Sequence, residues 1–556
     1  CESPRTHRRR GGARVSEASR NRTRLAGLAV SALFVVLAGK AGYLSLAGGK
    51  APAHASGQKA ERVVRADIVD RNGELLATSV SAYSLVANPK LIWDGADVAN
   101  ALATVLPDLD VAEMTRRLSD QSREFVWVER GLTPRQRKAV FDLGLEGLRF
   151  EEESRRAYPR GTLAGHVLGY TNIDGIGAGG IEYSQNERLA AGGEPIRLTI
   201  DNGVQAAVEA ELSIAAAEHE AEGGAAILLD AQTGEVRAMA SWPPFDPNRS
   251  VDIPMSDSSR LNRATGAVYE LGSVFKPFTV AAALEAGVVH PKELFDVRRP
   301  LEIRGFTIED DHPFHGDADI THIISESSNI GTVRINEKLG PRRQQDFLRR
   351  SGLMERVKIE LAGSSAPILP ERFDDLYSAT VSYGHGIAVS PMAYLAAFSA
   401  FANGGERVQP TLIMNNRDRP APVRVMSALT AEMVNVMMRE AVLTGTGKNA
   451  EVAGYRVAGK TGTAEKPILG GYDDDHNVTS FAAVFPYDRP QYALIVTLDD
   501  PKAGSGAGVT AAYNAAPAAG RIIERVAPLL GLAPRFEDIR PAGAVLRSGQ
   551  EKRSSL

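Results

Sequence analysis

Cysteine is nearly absent from this sequence, which limits how its fold can be stabilised. Cys1 is the single cysteine among 556 residues, so the chain cannot form an intramolecular disulfide. Internal repeats are lacking as well. With 43% hydrophobic and 24% charged residues, the composition is that of a globular protein long enough for two or three domains.

A strong net charge is also lacking, and the charge that exists is unevenly spread. The total is −4, yet residues 1–24 hold eight arginines against Glu2 and Glu17, a local charge of +6. The rest of the chain therefore carries −10. A mildly acidic body without a basic face gives no reason to propose nucleic acid as a partner.

Only one long hydrophobic run occurs, at residues 25–48, and Lys40 is its single charged residue. About 20 apolar residues span a bilayer as a helix, so the run predicts a transmembrane anchor. The arginines before it predict a cytoplasmic N-terminus (1–24) and export of everything that follows. A cleaved signal peptide is the alternative, although it would normally have a shorter apolar core and a small-residue cleavage site.

The order of elements predicts an α+β fold. Residues 63–89 alternate around Asn72-Gly73 like a hairpin, 95–149 resemble short helices with polar joins, and 204–222 form a strong helix. Two strands (223–242), several helical stretches and two more strands (478–500) follow, which indicates one antiparallel sheet with helices. The predicted domains are an N-terminal region (49–220), a second domain (221–535) and a loose tail (536–556).

The stretch YELGSVFKPFT (269–279) places Ser273 and Lys276 three residues apart. On a helix they share a face, and a buried lysine can lose its charge and activate a serine nucleophile. The competing interpretation is a helix cap followed by a solvated lysine. A second S-x-x-K, at Ser56 and Lys59, has no apolar flanks, whereas Ser273 is surrounded by apolar residues.

Two downstream motifs strengthen the catalytic interpretation. Ser327 and Asn329 form an S-x-N triplet, and Lys460-Thr461-Gly462-Thr463 contains the only K-T-G. A strand edge at K-T-G would offer an amide for an oxyanion hole. Residues 454–461 also satisfy the phosphate-loop pattern, but the glycines and proline after Thr461 do not favour the helix that such a loop requires.

S-x-x-K, S-x-N and K-T-G in this order resemble the signature of penicillin-binding proteins and serine β-lactamases. The stretches LLDAQTGEVRAMAS, NRATGAVYELGSVFKPFT, SYGHGIAVSP and VAGKTGTAE are similar to class B penicillin-binding proteins, and HVLGYTNIDGIGAGGIE resembles their division-specific septal type. The resemblance implies a transpeptidase domain with helices on both sides of its sheet, on an elongated N-terminal pedestal. An elongation-specific transpeptidase, a β-lactamase and a β-lactam sensor are the alternatives.

The resemblance also implies roles for the motif residues. Ser273 would attack the bond between two terminal D-alanines of a peptidoglycan stem peptide, with Lys276 as its base. Ser327 would relay protons, and Asn329 would bind the acyl-side amide. The implied binding strand consists of Lys460, Thr461, Gly462 and Thr463, with no metal and no cofactor.

Partners and location follow from the same resemblance. It implies a bacterial inner-membrane protein with a periplasmic catalytic domain that is trapped by β-lactams. The implied partners are peptidoglycan and its lipid-linked precursor polymer, the septal SEDS-family glycosyltransferase (FtsW type) and other divisome membrane proteins.

Two polar clusters remain open. His312, His315 and His322 stand among aspartates, where they could ligate a metal or belong to a solvated loop. Residues 472–476 (YDDDH) are predicted to form an exposed turn that could contact substrate.

Overall fold

A computed structural model describes residues 64–416, 418–468, 471–503 and 509–536, all within the unit Val63–Leu556. The predicted cytoplasmic tail, the predicted anchor, the Ser56/Lys59 pair and residues 537–556 lie outside the described residues. Within the described ranges, no helix has both the length and the apolar character needed to cross a membrane.

The N-terminal region contains a five-stranded sheet in which β2 pairs with β1, β3 and β4, and β1 also pairs in parallel with β5. Its elements are β1 (Ile68–Val69), β2 (Leu75–Ala87), α1 (Gly95–Ala103), α2 (Val111–Leu118), β3 (Val126–Leu132), α3 (Pro134–Asp142), β4 (Leu148–Ala157), α4 (Gly165–Leu168), α5 (Gly180–Ser184), α6 (Asn186–Ala190) and β5 (Ile196–Arg197).

A buried ion cluster holds the start of this region to its end. The Glu182 carboxylate accepts hydrogen bonds from Arg65 Nε at 2.7 Å and from Arg156 Nε at 2.6 Å. All three side chains are buried. Each arginine therefore depends on this one carboxylate for its neutralising charge, because removal of one partner leaves an uncompensated buried ion.

The second region begins with a helix and continues to the last described residues. Its elements are α7 (Asn202–Glu218), β6 (Gly223–Asp230), β7 (Val236–Trp242), β8 (Tyr269–Glu270), α8 (Lys276–Glu285), β9 (Leu294–Asp296), β10 (Leu301–Ile303), β11 (Phe306–Ile308), β12 (Asp317–Asp319), α9 (Ile320–Ser325), α10 (Asn329–Leu339), α11 (Pro341–Arg350), α12 (Asp375–Ser382), β13 (Ala388–Val389), α13 (Pro391–Ala402), β14 (Glu406–Arg407), β15 (Val423–Arg424), α14 (Ala428–Leu443), β16 (Ala458–Ile468), β17 (Gly471–Phe485), β18 (Tyr492–Asp499) and α15 (Ala515–Leu529).

Its central sheet is antiparallel, in the order β16-β17-β18-β6-β7. Both faces are covered, because Ile227 and Leu229 of β6 pack into one core while Ala226 and Leu228 pack into the other. Helices α8, α13 and α14 cover the first face, and α7 and α15 cover the second. This explains why β6 is an almost unbroken apolar run rather than an alternating one.

The predicted α+β class, the helix at 204–222 and the strand pairs at 223–242 and 478–500 are confirmed. Two local predictions are wrong. The segment 95–149 contains β3 besides its helices, because pairing with β2 draws a partly polar segment into the sheet. Residues 472–476 belong to β17 and not to a turn, since that strand begins at Gly471 and pairs with the end of β16.

We predict that Glu182→Gln destabilises the N-terminal region by about 3 kcal/mol, because it leaves buried arginine charge unpaired. Urea unfolding measures the loss. Glu113→Gln is the matched control, since Glu113 pairs with Arg116 on the surface and should contribute less than about 1 kcal/mol. Equal losses in the two variants would contradict the prediction.

Candidate active site

Ser273 lies in a 3-10 turn, Gly272–Phe275, that runs directly into α8. Gly272 has φ +59°, and a Cβ added there would come within 2.5 Å of the Thr463 carbonyl oxygen. Only glycine fits this position without strain. No side chain caps the 3-10 turn or α8, so the Ser273 hydroxyl is not a helix cap.

Lys276, the first residue of α8, is fully buried. Its Nζ donates hydrogen bonds to the Ser327 carbonyl oxygen and, at 3.1 Å, to Ser327 Oγ. Burial lowers the pKa of Lys276 to about 7, against the opposing charges of Asp310 and Asp311. Lys276 is therefore buried, and not solvated as the competing interpretation requires. Near pH 7, a large fraction of the Lys276 amine is neutral.

The S-x-N triplet forms the turn between α9 and α10. Ser327 has φ +64°, a backbone conformation that costs a non-glycine residue on the order of 1–3 kcal/mol. Ser328 caps α10, because its Oγ accepts from the Gly331 N–H at 2.8 Å. Asn329 Nδ2 donates to the Glu309 carbonyl oxygen at 2.9 Å. The turn thus brings the Ser327 hydroxyl to the Lys276 amine.

Lys460 lies inside β16, the edge strand of the central sheet, and is fully buried. Its Nζ donates to the Thr461 carbonyl oxygen at 3.1 Å and to Thr461 Oγ1 at 3.2 Å. Burial, and then repulsion from Lys276, lower the pKa of Lys460 well below its usual range. Since β16 continues through this position, no helix begins at Lys460, and the phosphate-loop alternative finds no support.

Lys276 and Lys460 form a pair of buried amines, each of whose charges disfavours the other. Burial is the main cause of the lowered pKa of both amines, and the repulsion between the two charges acts on the pair, because a Coulomb interaction is mutual.

Close backbone packing joins β16 to the turn Gly272–Phe275, called the nucleophile turn because it holds the predicted nucleophile Ser273. A Cβ at Gly462 would lie 2.2 Å from the Leu271 carbonyl oxygen and 3.0 Å from Val274 Cγ1. Together with the contact at Gly272, this leaves no room for a side chain between the two segments. The backbone amides of Ser273 and Thr463 therefore belong to segments in direct contact.

Sequence reasoning missed two residues at the site. Thr446 Oγ1 lies 2.7 Å from Thr461 Oγ1, and the Thr446 backbone N–H donates to the Ser325 carbonyl oxygen. The Asp310 carboxylate accepts from Ser328 Oγ at 2.7 Å. No local signal marks these two residues, because their partners lie far away in the sequence.

An aromatic and acidic group lies beside the nucleophile turn. Tyr472 Oη donates to Glu270 Oε2 at 3.1 Å, and the His385 ring lies 5.5 Å from that of Tyr472 and 5.2 Å from that of Tyr383. Burial raises the pKa of Glu270 and lowers the pKa of His385 to about 4, so the imidazole is neutral.

The histidines of the 310–322 segment do not gather around a centre. His312, His315 and His322 are exposed, and the His322 ring packs against Phe314 at 5.5 Å. In the described part of the chain, no group of three or more His, Cys, Asp or Glu side chains is arranged to hold a metal ion.

Comparisons with known proteins match two domain families to the chain. The penicillin-binding protein transpeptidase domain matches residues 224–524, and the penicillin-binding protein dimerisation domain matches residues 60–203.

Among curated relatives, the probable peptidoglycan D,D-transpeptidase FtsI of Caulobacter vibrioides is 40% identical over 504 residues, which cover 88% of this chain and 85% of that protein. The peptidoglycan D,D-transpeptidase FtsI of Escherichia coli K12 is 30% identical over 507 residues, with 84% of each chain covered.

Among solved structures, penicillin-binding protein 3 of Mycobacterium tuberculosis in complex with ampicillin superposes with a TM-score of 0.70 at 28% identity. The match covers 86% of this chain and 98% of that one. The chain thus shares a transpeptidase domain and an N-terminal dimerisation domain with these proteins along nearly all of its described residues. The protein belongs to the class B penicillin-binding proteins.

Proposed function

We propose that this protein is a serine D,D-transpeptidase that cross-links peptidoglycan stem peptides through an acyl-enzyme at Ser273, in septal cell-wall synthesis. The observation that carries the proposal is the convergence of three segments that are remote in sequence. Lys276 Nζ bonds to Ser327, and Gly462 abuts the backbone of the turn that holds Ser273. Relatives named peptidoglycan D,D-transpeptidase support the substrate class.

Acylation begins when Ser273 Oγ attacks the carbonyl carbon between the two terminal D-alanines. Neutral Lys276 accepts the hydroxyl proton, since a serine needs a base to become a nucleophile. The Ser273 and Thr463 amides hold the developing oxyanion. The C–N bond then breaks, the leaving D-alanine amine receives a proton through Ser327, and an ester remains on Ser273.

Transfer reverses these proton movements. An amine from a neighbouring stem peptide attacks the ester carbonyl and gives its proton to Ser327 and Lys276. Ser273 leaves with a proton restored to its oxygen, and a new peptide bond joins the two stems. The Lys276–Ser327 hydrogen bond supports this relay because it links the proposed base to the hydroxyl that exchanges protons with the amines.

Substrate recognition is assigned to Asn329 and the K-T-G strand. Asn329 binds the acyl-side amide, and Lys460 with Thr461 and Thr463 receives the terminal carboxylate. An arriving carboxylate favours the charged form of Lys460, which offsets the effect of burial. β-Lactams follow the same route into the site and acylate Ser273.

For the cellular setting, we propose an inner-membrane anchor at residues 25–48 with a cytoplasmic N-terminus and a periplasmic catalytic domain. The N-terminal region raises the site from the membrane as an elongated pedestal and docks a SEDS-family glycosyltransferase of the FtsW type and other divisome proteins. The apolar run and its preceding arginines support this topology.

Labelling with fluorescent penicillin tests the nucleophile. The wild-type chain should label and release the adduct slowly, and Ser273→Ala should not label, because it lacks the attacking oxygen. Ser56→Ala, in the other S-x-x-K, is the matched control and should label normally. Equal labelling of Ser273→Ala would refute the assignment, and rapid turnover of penicillin would favour a β-lactamase.

The acylation rate should depend on pH through Lys276. Because its pKa is lowered to about 7, the neutral amine is lost as the pH falls below that value. We expect the rate of penicillin labelling to fall by about tenfold per pH unit below pH 7 and to level off above about pH 8. A flat profile between pH 5.5 and pH 8 would rule out this base.

Membrane fractionation tests the anchor. Deletion of residues 1–48 should move the protein from the membrane pellet to the soluble fraction, because it removes the apolar run. Deletion of residues 537–556 is the control and should leave the protein in the pellet. A wild-type protein that is soluble, or shortened at its N-terminus, would favour the cleaved signal peptide.

A further inference from the structure

Asp310 lies on the loop after β11, and both of its carboxylate oxygens bind the S-x-N segment. Oδ2 accepts from Ser328 Oγ at 2.7 Å. Oδ1 accepts from the backbone N–H of Asn329 and, at 3.0 Å, from that of Ile330. One side chain outside the three motifs therefore holds the segment that carries two of the proposed catalytic residues.

These bonds satisfy the free N–H groups at the N-terminus of α10. Ser328 Oγ accepts from the Gly331 N–H while its own proton goes to Asp310. The first three N–H groups of the helix are thus all paired, two of them with Asp310. A carboxylate here is also favoured by the helix dipole. The start of α10 is consequently held in one position.

Ser327 is the residue immediately before this fixed point. Its left-handed conformation persists only if the surrounding structure imposes it, and Ser328 is held on both sides. The Ser328 N–H donates to the Ile323 carbonyl oxygen at 2.9 Å, and the Ser328 hydroxyl donates to Asp310. Release of the Asp310 contact would free Ser327 to leave the Lys276 amine.

We propose that Asp310 is a positioning residue for acyl transfer, whose carboxylate holds Ser327 and Asn329 in the geometry in which Ser327 reaches Lys276. This inference rests on the proposed function and extends it to a residue outside the S-x-x-K, S-x-N and K-T-G motifs. Asp310 acts through the S-x-N turn and not by contact with substrate.

The same carboxylate also acts on Lys276 through its charge. The charged and titratable groups that face this amine are Lys460 on β16, His385 after α12, and Asp310 and Asp311 after β11. The Asp310 charge raises the pKa of Lys276 and opposes burial. Removal of the Asp310 charge should therefore lower the pKa of Lys276, and the fall in acylation rate with acidity should begin at a lower pH. Loss of packing alone would not produce this shift.

The test measures the penicillin acylation rate against pH for the full chain and three variants. Asp310→Asn removes the charge and the acceptor for Ser328. Asp310→Glu keeps the charge but displaces the oxygens. Asp374→Asn is the matched control, because Asp374 caps α12 with bonds to the Leu376 and Tyr377 N–H groups and does not face Lys276.

We expect both Asp310 variants to lower the plateau rate by about tenfold or more, the effect of losing a charge-assisted hydrogen bond. The midpoint of the profile should shift to lower pH in Asp310→Asn and remain in place in Asp310→Glu. Asp374→Asn should change neither quantity. Thermal melting of each variant separates these effects from unfolding.

A wild-type rate in either Asp310 variant would overturn the proposal. So would a rate loss in Asp310→Asn with no shift of the midpoint, since it would indicate a purely structural role. If Asp310→Asn fails to fold, Asp310→Glu decides, because a wild-type rate would overturn the proposal and a lowered rate at an unchanged melting temperature would support it. Failure of the proposed function is distinct, because Ser273→Ala would then label like the wild type.

Discussion

The site depends on one physical constraint, which is that the amine of Lys276 is excluded from water. An ammonium group there loses hydration, so its charged form is disfavoured and its hydrogen bonds must come from the protein. Ser327 supplies both of them, through its carbonyl oxygen and its hydroxyl. The need to satisfy one buried group thus sets where the S-x-N turn lies relative to α8, and the same burial lowers the pKa of the amine to about 7.

A second constraint is steric and concerns two glycines. Gly272 and Gly462 let the nucleophile turn and β16 approach so closely that a single added carbon would overlap a carbonyl oxygen on the opposite segment. The amides beside these glycines are held by backbone contact and not by flexible side chains. Donors placed in advance stabilise a developing oxyanion without the cost of reorganisation. The close approach to Leu271 accounts for the glycine of K-T-G.

The central sheet makes both constraints possible. Its strands come from two distant parts of the chain, 223–242 and 458–499, and β18 pairs with β6 to join them. The helices that carry Lys276 and Asn329 are inserted between these parts. Closure of the sheet therefore brings K-T-G to the other two motifs, and cores on both faces hold it there. This shared architecture is what the relatives of the family have in common with the chain.

The sequence by itself determined the family, the α+β class and the three candidate motifs, because each motif is a short pattern and the long helices and strands have strong periodicity. It did not reveal β3 or the start of β17, since polar residues such as those at 473–475 disfavour strands until a neighbouring strand pairs with them. Only the tertiary structure decided that Asp310 holds the S-x-N turn, that Thr446 meets Thr461 and that burial sets the pKa of Lys276. These are contacts between segments remote in sequence, and they exist only once the chain has closed around them.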